Sequence, residues 1–279
     1  MFKLGPFEIS VVNFGFFRLD GGSMFGSVPK NIWSKRIPAD AENCIRLATR
    51  SLVIKHNDRH FLIDTGMGEK WSDKLRQIYA IENLPASQWG FDPSSITDVI
   101  LTHLHFDHAG GISKYVDTQQ EELELCYPKA TIHLQGDNLK NAKNPTVKER
   151  ASYLKENWAP VEKGTLNIVN GTTEIYPGIR VHQVNGHTTG QQWIEIFSDQ
   201  QAIFYPTDLI PTSHHVPLPF HMGYDICAGT LLKEKDEFLD AAVKREAIVL
   251  FQHDPVVAAA KVIKDEKGNY TLGEQVPLK

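Results

Sequence analysis

The sequence predicts an α/β fold whose functional site lies along one edge of a sheet. Short apolar stretches typical of buried strands alternate with segments that have helical spacing. Five of the predicted strands end shortly before a histidine or an aspartate, at Asp64, His103, His187, Asp208 and His253. Because open α/β sheets commonly carry their sites where strands end, we expect these five side chains to meet at one rim.

The composition is that of an ordinary globular protein and excludes several function classes. The 279 residues are 41% hydrophobic and 23% charged, which allows a large buried core. We expect a single domain over residues 1–279, because no low-complexity linker separates the two halves. A net charge of −5 and the lack of a long basic run argue against nucleic acid as a partner. The absence of a signal-peptide pattern and of a membrane-length apolar stretch favours a cytoplasmic protein that does not use a membrane.

The N-terminal part is predicted to be mostly β. Strands are predicted over residues 7–17, 49–56 and 59–64. Residues 20–33 read as a glycine-punctuated loop with three large apolar side chains, Met24, Phe25 and Trp33. Such side chains on an irregular segment need an apolar partner, either the core or a ligand. Asp64 closes its strand at a point where its carboxylate can support a neighbouring ligand.

The central motif runs over residues 102–110, after a predicted helix over 69–80 and a strand at 99–101. It places four potential metal ligands within six positions: His103, His105, Asp107 and His108. On an extended chain the first three of these point to one side. Imidazole and carboxylate groups suit zinc and iron, and packing them together without a cation would leave polar groups unsatisfied. The motif therefore predicts a metal site.

The second half repeats the alternation of strands and helices. Strands are predicted over residues 130–134, 166–169, 173–176, 179–184, 192–197, 202–205 and 247–251. Helices are predicted over residues 136–142, 147–158 and 231–243. His133 is more readily explained as a hydrogen-bonded core histidine than as a ligand. Four polar side chains beyond Asp208 could line a substrate cavity but are more readily explained as ordinary loop residues: His214, His215, His221 and Tyr224.

Taken together, the motifs resemble those of the metallo-β-lactamase superfamily. The resemblance rests on His-x-His-x-Asp-His at 103–108, Gly-His-Thr around His187, the strand-end Asp208 and the late His253. It implies an αββα sandwich of two mixed β-sheets flanked by helices, with a dinuclear metal centre at one edge. It also implies two divalent metal ions, with zinc the first candidate and iron, manganese or cobalt as alternatives.

The resemblance also implies a role for each ligand. The first metal would be bound by His103, His105 and His187. The second metal would be bound by Asp107, His108 and His253. Asp208 would bridge the two metals, and Asp64 would hold the ligands in place from behind.

Residues 20–33 and 155–158 resemble, more narrowly, the quorum-quenching N-acyl homoserine lactonases, especially their YtnP-like branch. This implies a hydrolase that opens a lactone ring by attack of a hydroxide bridging the two metals, with Asp107 and Asp208 in the catalytic centre. The candidates for an acyl-chain pocket are Met24, Phe25 and Trp33. One position departs from the pattern, because some of these lactonases place a tyrosine where this chain has Pro211.

Three other functions stay open at this point. An aryl ester or organophosphorus ester hydrolase would use the same metals and also act on a small molecule. An iron-dependent redox protein is weakened by the complete second ligand set and by the lack of a flavodoxin domain. A metal-stabilised binding module without turnover is the third. Related lactonases suggest a homodimer.

Overall fold

The chain folds into two large mixed sheets with helices on their outer faces. The structure, a computed structural model, describes residues 2–117, 119–199 and 201–278. The strands in chain order are β1 (Phe2–Leu4), β2 (Phe7–Asp20), β3 (Cys44–His56), β4 (Arg59–Ile63), β5 (Glu82–Asn83), β6 (Asp98–Ile100), β7 (Ser113–Tyr115), β8 (Leu123–Leu125), β9 (Thr131–Gln135), β10 (Thr165–Val169), β11 (Thr173–Tyr176), β12 (Ile179–Val184), β13 (Gln191–Ser198), β14 (Gln201–Tyr205), β15 (Ile248–Leu250), β16 (Ala259–Lys264) and β17 (Tyr270–Gln275). The α-helices are α1 (Gly21–Phe25), α2 (Lys30–Trp33), α3 (Asp73–Ile78), α4 (Phe106–Ala109), α5 (Gly136–Lys143), α6 (Lys155–Val161) and α7 (Ala228–Lys244).

Both large sheets combine parallel and antiparallel neighbours. The first has the order β1-β2-β3-β4-β6-β9-β10, with β5 paired to β2, and it is parallel from β4 onward. The second has the order β11 to β17 and is antiparallel except where β14 pairs with β15. A small hairpin of β7 and β8 stands apart. In this topology the carboxyl ends of β12, β14 and β15 share one edge of the second sheet.

Three apolar clusters show how the layers pack. One lies between the sheets and joins Ile54 and Ile63 of the first sheet to Ile194 and Ile203 of the second. Another covers the outer face of the first sheet and includes Leu139 of α5. A third covers the outer face of the second sheet with side chains of α7. This four-layer arrangement confirms the predicted sandwich of two mixed sheets flanked by helices.

Several element boundaries differ from those predicted. The helix expected over 69–80 is confined to α3, which begins after Ser72, whose hydroxyl accepts the Leu75 N–H. The expected loop over 20–33 contains α1 and α2, and the Asp20 carboxylate caps α1 by accepting the Ser23 N–H. No helix among the described residues is long and apolar enough to cross a membrane.

The helix expected over 147–158 is wrong in its first half, because α6 begins only at Lys155. Residues 147–152 form turns instead, and residues 153–154 have no regular structure. Two side chains of this stretch, Glu149 and Tyr153, point inward and bond to Thr188. These tertiary contacts override the helical spacing of the sequence.

Candidate metal centre

The central motif combines an irregular stretch with a short helix. Strand β6 ends at Ile100, and residues 101–105 continue without regular structure. Asp107 and His108 then lie on α4, so the alternation expected for an extended chain ends at His105. The prediction that the Asp107 side chain projects from an extended chain on the same side as His103 is therefore wrong. The helical turn instead directs Asp107 and His108 to a second group of ligands.

The seven side chains expected to bind metal lie in two groups that share one aspartate. His103, His105, His187 and Asp208 form the first group. Asp107, His108, His253 and Asp208 form the second. Within each group the potential ligand atoms lie within 4.8 Å of one another, and all seven side chains are buried. Two potential cation sites with a common carboxylate are thus assembled from four separate parts of the chain.

Asp208 lies at the junction of the two groups. Its Oδ2 is 3.1 Å from His187 Nε2 and 3.3 Å from His108 Nε2, so it faces both groups. Its Oδ1 is 3.1 Å from His253 Nε2 but has no hydrogen-bond partner of acceptable geometry among the described residues. A buried carboxylate oxygen without a hydrogen bond is costly unless a cation satisfies it.

The arrangement of the histidines in the first group also indicates a cation site. His103 Nε2 lies 3.0 Å from His105 Nδ1, and that same Nδ1 lies 3.2 Å from His187 Nε2. Three ring nitrogens that converge on one point cannot all be paired by hydrogen bonds to each other, but they can all donate lone pairs to one cation. The donor set of imidazoles and carboxylates therefore fits divalent transition metals in both groups.

The pKa values of the histidines in the first group shift in opposite directions. Burial, and next the neighbouring imidazoles, lower the pKa of His103 and His105 well below the usual value. Burial acts in the same direction on His187, but Asp208 and a second carboxylate outweigh it and raise its pKa to about 10. The histidines around Asp208 hold its pKa well below the usual range despite its burial. A metal ion would have to displace the proton held at His187.

Asp64 supports the second group from behind, in the place expected for it. Its Oδ2 accepts from Thr102 Oγ1 at 2.8 Å and lies 2.9 Å from His108 Nδ1, and its Oδ1 accepts the Thr102 N–H at 2.8 Å. The amide of Gln252 donates a further bond of 3.1 Å. Asp64 has a left-handed φ of 53°, a strained conformation that these bonds maintain. Asp64 thereby fixes the ring of His108 with Nε2 toward the site.

Asp225 supports the first group, although no pattern in the sequence marked it as a site residue. Its Oδ1 lies 2.9 Å from His187 Nδ1, and its Oδ2 accepts the Met222 N–H at 2.8 Å. This orients His187 with Nε2 toward Asp208. The residue lies in an irregular segment 17 positions after Asp208, where no periodicity marks it. His253 is oriented in a different way, by the carbonyl of Ala48, 2.8 Å from its Nδ1.

A cavity of about 200 Å³ opens onto the ligand cluster. Its floor includes His105, Asp107, His187, Asp208 and His253. One wall is apolar and consists of Phe17, Leu19, Met24, Leu47 and Phe106. The remaining lining residues are Tyr79, Lys148, Glu149, Ala151, Ser152, Met222 and Tyr224. The cavity thus places a polar floor beside an apolar wall.

The three side chains expected to contact an acyl chain divide into two kinds. Met24 lines the cavity. Phe25 and Trp33 do not line it; they stack on each other in the core behind the cavity, with ring centroids 5.5 Å apart. The prediction that these two side chains line the pocket is therefore wrong. Tyr224, expected to be an ordinary loop residue, lines the cavity instead. Pro211 lies behind His253, whose N–H donates to its carbonyl at 2.9 Å.

This chain is similar to known proteins both in sequence and in structure. An N-acyl homoserine lactonase from Bacillus cereus is 28% identical over 84% of this chain and 89% of its own length. A probable metal-dependent hydrolase from Staphylococcus aureus superposes with a TM-score of 0.88 at 27% identity, covering 99% of this chain and 100% of its own. The dizinc quorum-quenching lactonase AidC, in complex with a product, has a TM-score of 0.78 at 20% identity, covering 100% and 97%.

The family profile of the metallo-β-lactamase superfamily matches residues 45–253. This range contains both ligand groups and the supporting carboxylates Asp64 and Asp225. With the two-sheet sandwich and the paired ligand groups on its edge, the match leads to one conclusion: the chain belongs to the metallo-β-lactamase superfamily.

Proposed function

We propose that this protein is a metal-dependent lactonase that opens the ring of N-acyl homoserine lactones, a quorum-quenching activity. The observation that carries the proposal is the cavity, which combines a floor of metal-type ligands with an apolar wall. An N-acyl homoserine lactone has the matching division, because its reactive ester is polar and its acyl chain is apolar and flexible. The B. cereus relative named N-acyl homoserine lactonase supports this choice over other esters.

The proposal includes two divalent cations, with zinc the first candidate. His103, His105 and His187 would hold one cation, and Asp107, His108 and His253 would hold the other, with Asp208 shared between them. Divalent cations bound here would supply Lewis acidity, which polarises a carbonyl and lowers the pKa of bound water to near 7.

The protein's own side chains would orient the substrate. Met24, Phe17 and Leu47 offer a wall on which an acyl chain can exclude water. The soft thioether of Met24 adapts to chains of different length. With the chain against this wall, the ester of the ring faces the floor beside Asp208.

Ring opening requires a proton for the departing oxygen. The oxygen of one water forms a bond to the ester carbon, and the bond from that carbon to the ring oxygen breaks. The ring oxygen takes up one proton equivalent of that water, and the single product carries an alcohol group and a carboxylic acid group. Tyr224 borders the cavity, and burial raises its pKa to about 12, so the phenol keeps its proton at neutral pH. It is our candidate for the hydrogen-bond donor that Pro211 cannot supply.

A pH-stat assay on purified, metal-analysed protein tests the proposal, because each opened lactone releases one proton at neutral pH. The panel includes N-acyl homoserine lactones, γ-lactones, aryl esters and a phosphotriester. We expect N-acyl homoserine lactones to have the highest kcat/KM. If no lactone opened faster than in buffer while the phosphotriester was hydrolysed, the lactonase proposal would be overturned in favour of organophosphorus ester hydrolysis.

A further inference from the structure

Asn138 joins two loops that carry ligands of the first group. It lies in the first turn of α5 and is completely buried. Its Oδ1 accepts the N–H of Leu104, the residue between His103 and His105, at 2.9 Å. Its Nδ2 donates to the carbonyl of Thr189, two residues after His187, at 2.9 Å. One side chain therefore bonds to the backbone beside three ligands of the same group.

The same Nδ2 also donates to Tyr153 Oη at 3.0 Å. That hydroxyl lies 2.6 Å from Thr188 Oγ1, in the residue directly after His187. The Tyr153 ring meets the His105 ring edge to face, with centroids 4.6 Å apart. A second path thus links the His105 side chain to the His187 loop through Tyr153.

The packing at this junction leaves little freedom for either loop. Gly190, which ends the His187 loop, has a φ of 74°, and a Cβ on it would lie 2.4 Å from the backbone nitrogen of Asn138. Because the obstructing atom belongs to the backbone, a larger residue could not be accommodated by a change of rotamer. The His187 loop therefore rests directly on the start of α5.

The second ligand group has other supports. His108 is oriented by Asp64, and His253 by the carbonyl of Ala48. Neither of these contacts involves Asn138. The supports that join His105 to His187 are thus separate from those of His108 and His253. The two groups share Asp208, and Thr102 Oγ1 lies 3.1 Å from His103 Nδ1 and 3.3 Å from His108 Nδ1.

We propose that Asn138 is a positioning residue that fixes the loops of His105 and His187 relative to each other and so sets the affinity of the first cation site selectively. The inference rests on the proposed pair of cations, but not on the identity of the substrate. Replacing Asn138 by leucine leaves the Leu104 N–H and the Thr189 carbonyl without these partners, so the loops lose their fixed separation. Loss of outer contacts of this kind commonly weakens metal binding by about 10- to 100-fold.

The test is a zinc titration of metal-stripped protein in competition with a chromophoric chelator. Three variants are compared with the wild-type protein. N138L removes the junction, and Y153F removes only the hydroxyl of the second path. N157L is the matched control, because Asn157 is equally buried on α6 and its Nδ2 has no hydrogen-bond partner among the described residues.

We expect two zinc ions per wild-type chain. In N138L one of the two dissociation constants should rise by about tenfold or more, while the other stays within about twofold. Y153F should weaken the same site by a smaller factor, and it carries the test if N138L does not fold. N157L should leave both constants unchanged.

Equal weakening of both sites in N138L would overturn the proposal, and so would unchanged binding in a folded variant. Fewer than two zinc ions on the wild-type chain would instead overturn the cation pair on which the proposal rests. The two failures are therefore distinguishable in one titration.

Discussion

Replacing Asp225 by asparagine removes the charge that orients His187 while keeping the size of the side chain. The carboxylate is buried, lies 2.9 Å from His187 Nδ1 and accepts the Met222 N–H at 2.8 Å. His187 donates the main hydrogen bond that holds the pKa of Asp225 below its usual value against the effect of burial. The variant therefore replaces a charged hydrogen bond at the metal centre with a neutral one.

The size of the effect follows from that one contact. A hydrogen bond to a charged group contributes about 1.5–3 kcal/mol, and the neutral amide retains part of it. We expect a loss of about 1.4–2.7 kcal/mol, which corresponds to about 10- to 100-fold in kcat/KM. Zinc affinity should fall by a similar factor, because Asp225 acts on the reaction only through His187.

The assay measures kcat/KM for N-hexanoyl homoserine lactone and, in parallel, the zinc affinity of D225N. D98N is the matched control, because Asp98 is an equally buried carboxylate that bonds to Arg59 and His133, outside both ligand groups. D98N should lower the melting temperature and leave the zinc affinity unchanged. A folded D225N with kcat/KM and zinc affinity within about twofold of the wild-type values would show that the charge of Asp225 does not matter for the metal centre.

Three further substitutions test the apolar wall, the proposed phenol donor and the buried carboxylate of Asp98. M24A removes three heavy atoms from the apolar wall. If a long acyl chain thereby loses the burial of about two methylenes, at about 0.8 kcal/mol each, the kcat/KM ratio of long-chain to short-chain lactones should fall by about tenfold. F25L, behind the wall, should leave that ratio unchanged. An equal loss on both chain lengths would remove Met24 from the pocket. Y224F should lower kcat by about tenfold with little change in zinc affinity, and an unchanged kcat would exclude the phenol as a donor. Hydrogen bonds from His133 and Arg59 overcome the effect of burial and lower the pKa of Asp98 from 3.8 to about 2. Asp98 therefore contributes about 2 kcal/mol to the free energy of unfolding above pH 4, which is lost as the pH falls from about 4 to 2. Urea unfolding of D98N should show a weaker pH dependence in that window, and an identical pH dependence would contradict this assignment.

The strands that carry ligands were predictable because each has a strong local signal. Strand β15 is a compact run of branched apolar residues, and His253 follows it within three positions. Strand β14 is apolar and buried from Ala202 to Tyr205, and Asp208 likewise follows it within three positions. Residues in such strands are buried on both faces, so hydrophobicity alone marks them. The fold class and the order of the ligands were therefore accessible from the sequence.

The supports of the site were not predictable in the same way. Asp225 and Asn138 act through contacts with residues 38 and 34–51 positions away, and polar residues in loops carry no periodicity. Residues 147–154 were predicted to be helical but are not, because Glu149 and Tyr153 bond to Thr188 in the His187 loop, and the spacing of the sequence does not reveal these contacts. Phe25 and Trp33 were predicted to line the pocket because the sequence does not distinguish an apolar side chain on the cavity surface from one in the layer behind it.

We expect this site to hydrolyse a lactone only with the help of bound divalent cations. The most direct measurement is proton release from N-hexanoyl homoserine lactone in a pH-stat, with the same preparation assayed loaded with zinc, stripped by a chelator and reloaded. We expect one proton per lactone consumed, loss of activity on stripping and recovery on reloading. Equal rates in the stripped and the zinc-loaded protein, or no proton release from the loaded protein, would contradict the account.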